Sequence, residues 1–148
     1  MKRIAITFLL AAVAFPLCFQ TPAHAFKQFL DRARKIYDMD KPVSSCLLCH
    51  QFDETKNEKA DKSNLNDYGH DMGNDPFMRP LVDVEEDHKF TPKEFETIDA
   101  VLRSLDDVDS DKDGATNLEE MELGTFPGDK KSVPSAEALK KYREKKKK

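Results

Sequence analysis

The chain has 148 residues, 24 basic and 28 acidic, for a net charge of −4. That length suits one small domain. The acidic balance argues against nucleic acid as a partner, because phosphate binding needs a basic surface.

Lys2 and Arg3 precede an apolar run from Ile4 to Phe19, and Ala23 and Ala25 then give the small-x-small pattern that a signal peptidase cuts behind. The run is too short and wrongly flanked for a transmembrane span, which takes about 20 apolar residues. Residues 1–25 are therefore expected to be a secretory signal peptide. The mature chain should start at Phe26, carry no transmembrane segment, and work in the periplasm or outside the cell. Cys18 follows Phe15, Pro16 and Leu17, a poor context for lipidation. The mature chain of 123 residues holds 22 basic against 28 acidic residues, since only Lys2 and Arg3 are lost. About a fifth of it is Leu, Ile, Val or Phe, the border at which burial alone struggles to offset folding entropy. Small domains in this position usually recruit a staple such as a metal or a covalent cross-link.

Apolar residues at 26, 29, 30, 33, 36 and 37 predict an amphipathic packing helix. Pro42 ends that pattern, and Ser44 or Ser45 can cap a helical turn carrying Cys46 and Cys49. Asp53 to Asn64 is charged and aperiodic and reads as a solvated loop. A short helix is expected around Leu65 to Met72, after which Gly73, Asn74, Pro76 and Pro80 return the chain to loop. Thr91, Pro92 and Glu94 mark a helix start with a capping box, and Phe90 and Phe95 stand at the staple positions across it. Phe95, Ile98, Val101, Leu102 and Leu105 continue at helical spacing. A second short helix is expected from about Leu118 to Leu123, stopped by Gly124, Pro127 and Gly128. The lysine-rich end reads as a frayed helix and basic tail. The expected fold is mostly α, with no extended sheet.

"DSDKDGATNLEE" places Asp109, Asp111 and Asp113 at positions 1, 3 and 5 of an EF-hand loop, Gly114 at 6 and Glu120 at 12. A hard divalent cation takes six to eight oxygens, so alternating carboxylates wrap it while glycine permits the sharp turn. Ala115 would supply a backbone carbonyl at position 7. Asn117 either ligates, directly or through water, or caps the following helix with Glu120 three residues on. One calcium ion is the expected occupant, as a structural site, since no second glycine-centred loop is present to pair with it. An acidic solvated turn is the alternative, against which stands the mutual repulsion of three aspartates within five residues.

In "SSCLLCHQF", Cys46, Cys49 and His50 stand at i, i+3 and i+4, which share a face on a helix. C-x-x-C-H is the attachment signature of c-type haem, with the histidine as proximal iron ligand. A thioredoxin-like dithiol would want a βαβ setting that the sequence does not supply. A structural zinc site would want a second cysteine pair, and a disulfide across so short a loop is an inefficient staple. Haem is the expected occupant, with Leu47 and Leu48 packing beside it. For the sixth iron position His70, Met72 and Met78 are the candidates, with His88 and Met39 further possibilities, and the sequence favours none of them.

"CLLCH", followed by "LNDYG" and "DSDKDGATNLEEMELGTFPGD", resembles a family of small exported bacterial monohaem cytochromes c with an EF-hand-like segment, over roughly Cys46 to Asp129. The resemblance implies covalent haem on Cys46 and Cys49, His50 on the iron, and electron transfer or haem-based redox sensing with an unidentified redox partner protein. The expected organisation is a signal peptide at 1–25, a cytochrome c-like region at 26–90, an EF-hand-like segment at 91–129 and a basic tail at 130–148. No base–nucleophile pairing or phosphate loop suggests an enzyme, although an open sixth position would permit peroxidase chemistry. The competing reading is a secreted calcium-dependent binding or structural module in which Cys46 and Cys49 form a disulfide. The lysine tail would serve either as a solvated end or as an electrostatic dock for an acidic partner or membrane surface.

Overall fold

The computed structural model describes residues 25–39, 43–53, 59–82, 84 and 88–147. The expected signal peptide, apart from its last residue, and Pro42 lie outside the described residues. Among the described residues, six α-helices and one two-stranded sheet make a mostly helical fold, and no helix is long and apolar enough to cross a membrane.

Helix α1 spans Ala25–Tyr37 and packs on α4, Pro92–Ser104. The apolar stripe of α1 turns inward as expected: Phe29 and Ala33 are buried, and Leu30, Ile36 and Tyr37 pack at the edge of the core. Arg32 forms a two-pronged ion pair with Asp99 of α4 and lies 5.3 Å from the Phe95 ring. Asp38, with φ of 48°, leaves the helical region and ends α1. The start of α4 follows its sequence signal. Thr91 and Glu94 form a reciprocal capping box, and the Phe90 and Phe95 rings meet edge to face at 5.8 Å.

Between these helices, Ser45 caps a single 3₁₀ turn, Cys46–Leu48, and accepts from Leu47 N. His50 does not continue that turn. It opens strand β1 (His50–Asp53), antiparallel to β2 (Lys59–Leu65), with His50 opposite Leu65 and the register shifting before Gln51 meets Asp61. Residues 59–64, expected to be loop, are therefore strand. A short two-stranded ribbon is held by backbone bonds, and its sequence needs none of the alternation that betrays a half-buried strand. The middle of that expected loop, 54–58, lies outside the described residues.

Helix α2 (Asp67–Asn74) follows, capped by Asn66. The segment after it is not all loop. Asp75 accepts from the backbone of Phe77 and Met78, and a one-turn helix α3 forms at Arg79–Val82. Pro80 sits in the first turn of α3, where its missing N–H costs no hydrogen bond. Met78, expected on a loop, is fully buried. The chain then runs through α4 and the acidic loop into α5 (Asn117–Leu123), which Gly124 ends in the left-handed region at φ 82°. Helix α6 (Ala136–Lys146) forms within the basic tail, and Arg143 ties it back to Glu119 of α5 at 2.6 and 2.7 Å. The core joins Phe29, Val43, Leu48, Tyr68, Met72, Met78, Phe90, Ile98, Leu102 and Met121, drawn from nearly every element.

Two glycines of α2 separate close approach from idle flexibility. A Cβ on Gly69 would overlap the carbonyl oxygen of Cys49, whereas one on Gly73 would only touch Leu65 at 3.7 Å. Gly69→Ala is therefore expected to destabilise the protein by about 2 kcal/mol or more, since the obstacle is backbone. Gly73→Ala should be neutral or stabilising by up to about 1 kcal/mol through helix propensity. Denaturant melts of the two variants, compared with wild type, check the sign and the order.

Candidate functional site

The 3₁₀ turn carrying the cysteines is held from outside by one residue. The Asn66 side chain donates from Nδ2 to the carbonyls of Leu47 (2.9 Å) and Leu48 (3.1 Å), with that of His50 at 3.4 Å. Its Oδ1 accepts from Gly69 N at 2.8 Å, and its backbone N–H donates to the Cys49 carbonyl at 3.0 Å. Asn66 is 5% exposed. A Cβ on Gly128 would overlap Asn66 Oδ1, so the "FPGD" turn closes over the same residue. Carbonyls that would otherwise carry the helix onward are thus already engaged, and His50 leaves as strand.

Within the turn, Leu48 inserts into the core, Cys46 is exposed, Cys49 is half-buried and His50 is 8% exposed. The two thiols are not bonded to each other. Burial, and secondarily the neighbouring Cys46, pushes the Cys49 thiol up to about 12, so it stays protonated at neutral pH. A redox-active dithiol needs the opposite shift, because the thiolate is the nucleophile. Tyr68 packs against this region, fully buried, and its hydroxyl is likewise pushed up, first by burial and then by Cys49.

A cavity of about 480 Å³ opens beside His50, walled by Leu47, Phe52 and Phe126, with Lys130 and Lys131 at its edge. Neither thiol lines it, nor do His70, Met72 or Met78. His70 is exposed on α2, while Met72 and Met78 are sealed in the core. His88 meets Glu94 at 3.1 Å, and Met39 packs at the core's edge. Cys46 and Cys49 therefore sit in and at the end of the 3₁₀ turn, His50 begins the strand after it, and no sixth-position candidate lines the cavity beside His50.

The second site is the acidic loop between α4 and α5. Asp109, Asp111 and Asp113 each direct a carboxylate oxygen to a common point, all within 4.8 Å of one another, an arrangement that can hold a metal ion. Backbone amides shape it: Asp113 N and Gly114 N donate to Asp109 at 3.1 and 3.0 Å, and Ala115 N donates to Asp113 at 2.8 Å. Lys112 (φ 62°) and Gly114 (φ 102°) make the turn. Glu120 is 0% exposed and Asp111 3%. Burial first, then repulsion from the other loop carboxylates, pushes Glu120 up to about 9 and Asp111 up to about 6. Oδ2 of Asp111, Oδ2 of Asp113 and Oε2 of Glu120 are buried with no hydrogen-bond partner. Buried polar atoms are rarely left so; Asp111 and Asp113 belong to the cluster that can hold a cation, and Glu120 lies outside that cluster.

Asn117 is fully buried beside the loop. Its amide donates to the Leu105 carbonyl (2.8 Å) and Ser110 Oγ (3.0 Å), and its Oδ1 accepts from Ser110 N (3.3 Å). It braces the loop from inside the protein. It does not cap α5 either; Thr116 does, in a capping box with Glu119. Both residues have short polar side chains suited to the cap, so the local pattern admitted either one. Sequence reasoning also missed Asn66, Gly128 and Arg143, which donates to the Gly114 carbonyl at 3.0 Å. An asparagine just before a helix and a glycine inside it were the visible signals for the first.

No protein-family model, no curated protein and no solved structure matches this chain.

Proposed function

We propose that the protein is an exported monohaem c-type cytochrome that transfers electrons through covalently bound haem and is rigidified by one structural calcium ion. The observation that carries this reading is the C-x-x-C-H turn itself. Its two thiols are not joined to each other, its histidine is enclosed, and its backbone is fastened to a buried asparagine. Cys46 and Cys49 would hold the group by thioether bonds and His50 would ligate its iron, which supplies a one-electron couple. Leu48 anchors the turn in the core. Leu47, Phe52 and Phe126 give the cavity beside His50 an apolar part, and Asp67, Asp129, Lys130 and Lys131 line it with charges of both signs.

For the acidic loop, the donor set is all oxygen and includes three buried carboxylate atoms lacking partners. Oxygen-rich, carboxylate-dense sites suit calcium. Asp109, Asp111, Asp113, the Ala115 carbonyl and Glu120 would hold it, with Asn117 bracing the loop behind them.

Two measurements test the reading. Protein co-expressed with haem-attachment machinery should show a c-type absorption spectrum, lost in a Cys46→Ala, Cys49→Ala double variant. Because no sixth-position candidate lines the cavity beside His50, imidazole should shift that spectrum readily. A spectrum indifferent to imidazole would place an internal ligand on the iron, and no c-type band at all would end the cytochrome reading. Calcium at about 100 times its dissociation constant should add about 2.7 kcal/mol to the unfolding free energy. Glu120→Gln should lose most of that increment yet melt no lower than wild type in chelator, since it removes a buried uncompensated carboxyl. Equal melting of wild type with and without calcium would contradict the metal assignment.

A further inference from the structure

We propose that Asn66 is the positioning residue of the C-x-x-C-H turn, fixing how Cys46, Cys49 and His50 are presented to haem. The inference rests on the haem reading above. A single 3₁₀ turn has too few backbone bonds to hold its own shape: within it, Leu48 N donates to Ser45 O at 3.0 Å and Cys49 N to Cys46 O at 3.3 Å. The carbonyls that follow have no helix to receive them. Asn66 donates to them instead, to Leu47 and Leu48 from its side-chain Nδ2 and to Cys49 from its backbone N–H.

The geometry makes the amide specific. Asn66 needs an acceptor toward Gly69 and donors toward Leu47 and Leu48, and among short side chains only asparagine offers both at once. Serine or aspartate would still cap α2, but aspartate offers the turn's carbonyls no donor and serine one short hydroxyl in place of an amide that reaches both. Aspartate would also set a carboxylate oxygen against them. Gly128 covers the residue from the other side. A loosened turn lets Cys49 emerge and lets His50 tilt. Haem capture and the iron's electronic environment should both respond.

The experiment uses Asn66→Ser and Asn66→Asp, with Thr91→Ala, which removes the α4 cap far from the turn, as a control for general destabilisation. After co-expression with attachment machinery, the Asn66 variants should carry about tenfold less doubly bonded haem per chain than wild type. Their loaded fraction should show a displaced reduction potential. Thr91→Ala should match wild type in both. Wild-type loading and potential in either Asn66 variant, or an equal fall in Thr91→Ala, would overturn the proposal. A second readout needs no haem. In the full chain made without attachment machinery, Cys49 should be alkylated about tenfold faster in Asn66→Ser than in wild type, with Cys46 unchanged. Equal Cys49 rates would overturn the clamp. Faster Cys49 alkylation in a chain whose wild type takes no haem would uphold the clamp while refuting the haem reading.

Discussion

A buried side-chain amide replaces the turns of helix that the cysteine segment lacks. Asn66 fastens Leu47, Leu48 and Cys49 from outside, and the rest of the arrangement follows from that fastening. Gly69 must lack a side chain so that α2 can approach the Cys49 carbonyl, and Gly128 must lack one so that the turn after α5 can close over Asn66. The cysteine turn, α2 and the turn after α5 therefore all approach Asn66. Buried amide–carbonyl bonds of this kind contribute modestly when made and cost much more when one partner is lost, which makes such a joint specific as well as stabilising.

The acidic loop obeys the opposite logic. Where Asn66 is satisfied on every side, Asp111, Asp113 and Glu120 each keep a buried oxygen with no partner. Like charges gathered out of water resist ionisation, and the upward shifts of Glu120 and Asp111 record that resistance. The loop's own frame is well made nonetheless: Asn117 bridges Leu105 and Ser110, and Arg143 reaches from α6 to Gly114 and Glu119. A rigid frame around an unsatisfied centre is what a cation site requires. Thr125 links this frame onward, its N–H donating to the Glu120 carbonyl at 2.9 Å, and Pro127 and Gly128 follow directly to Asn66.

How much of this was legible in the sequence depends on the range of the forces involved. The caps at Ser45 and Thr91, the Phe90–Phe95 staple and the Gly124 stop are local, so neighbouring residues announce them. The positions of Asp109, Asp111 and Asp113 were legible for the same reason, since the loop's spacing is its geometry. Asn66 was not, because its partners lie about 18 residues upstream and only folding brings them together. The β1–β2 ribbon escaped notice because it is polar and held through its backbone. Burial of Met78 escaped because its turn, bounded by Pro76 and Pro80, looks in sequence like an exposed loop.

The proposed haem would be held by Cys46 and Cys49 and ligated by His50. Intact-mass measurement of the exported protein, followed by peptide mapping across Cys46 and Cys49, tests this attachment most directly. One haem per chain, attached through thioether bonds at both cysteines, is the expected result. Unmodified thiols, or a disulfide joining Cys46 to Cys49, in protein made where haem attachment operates would contradict it.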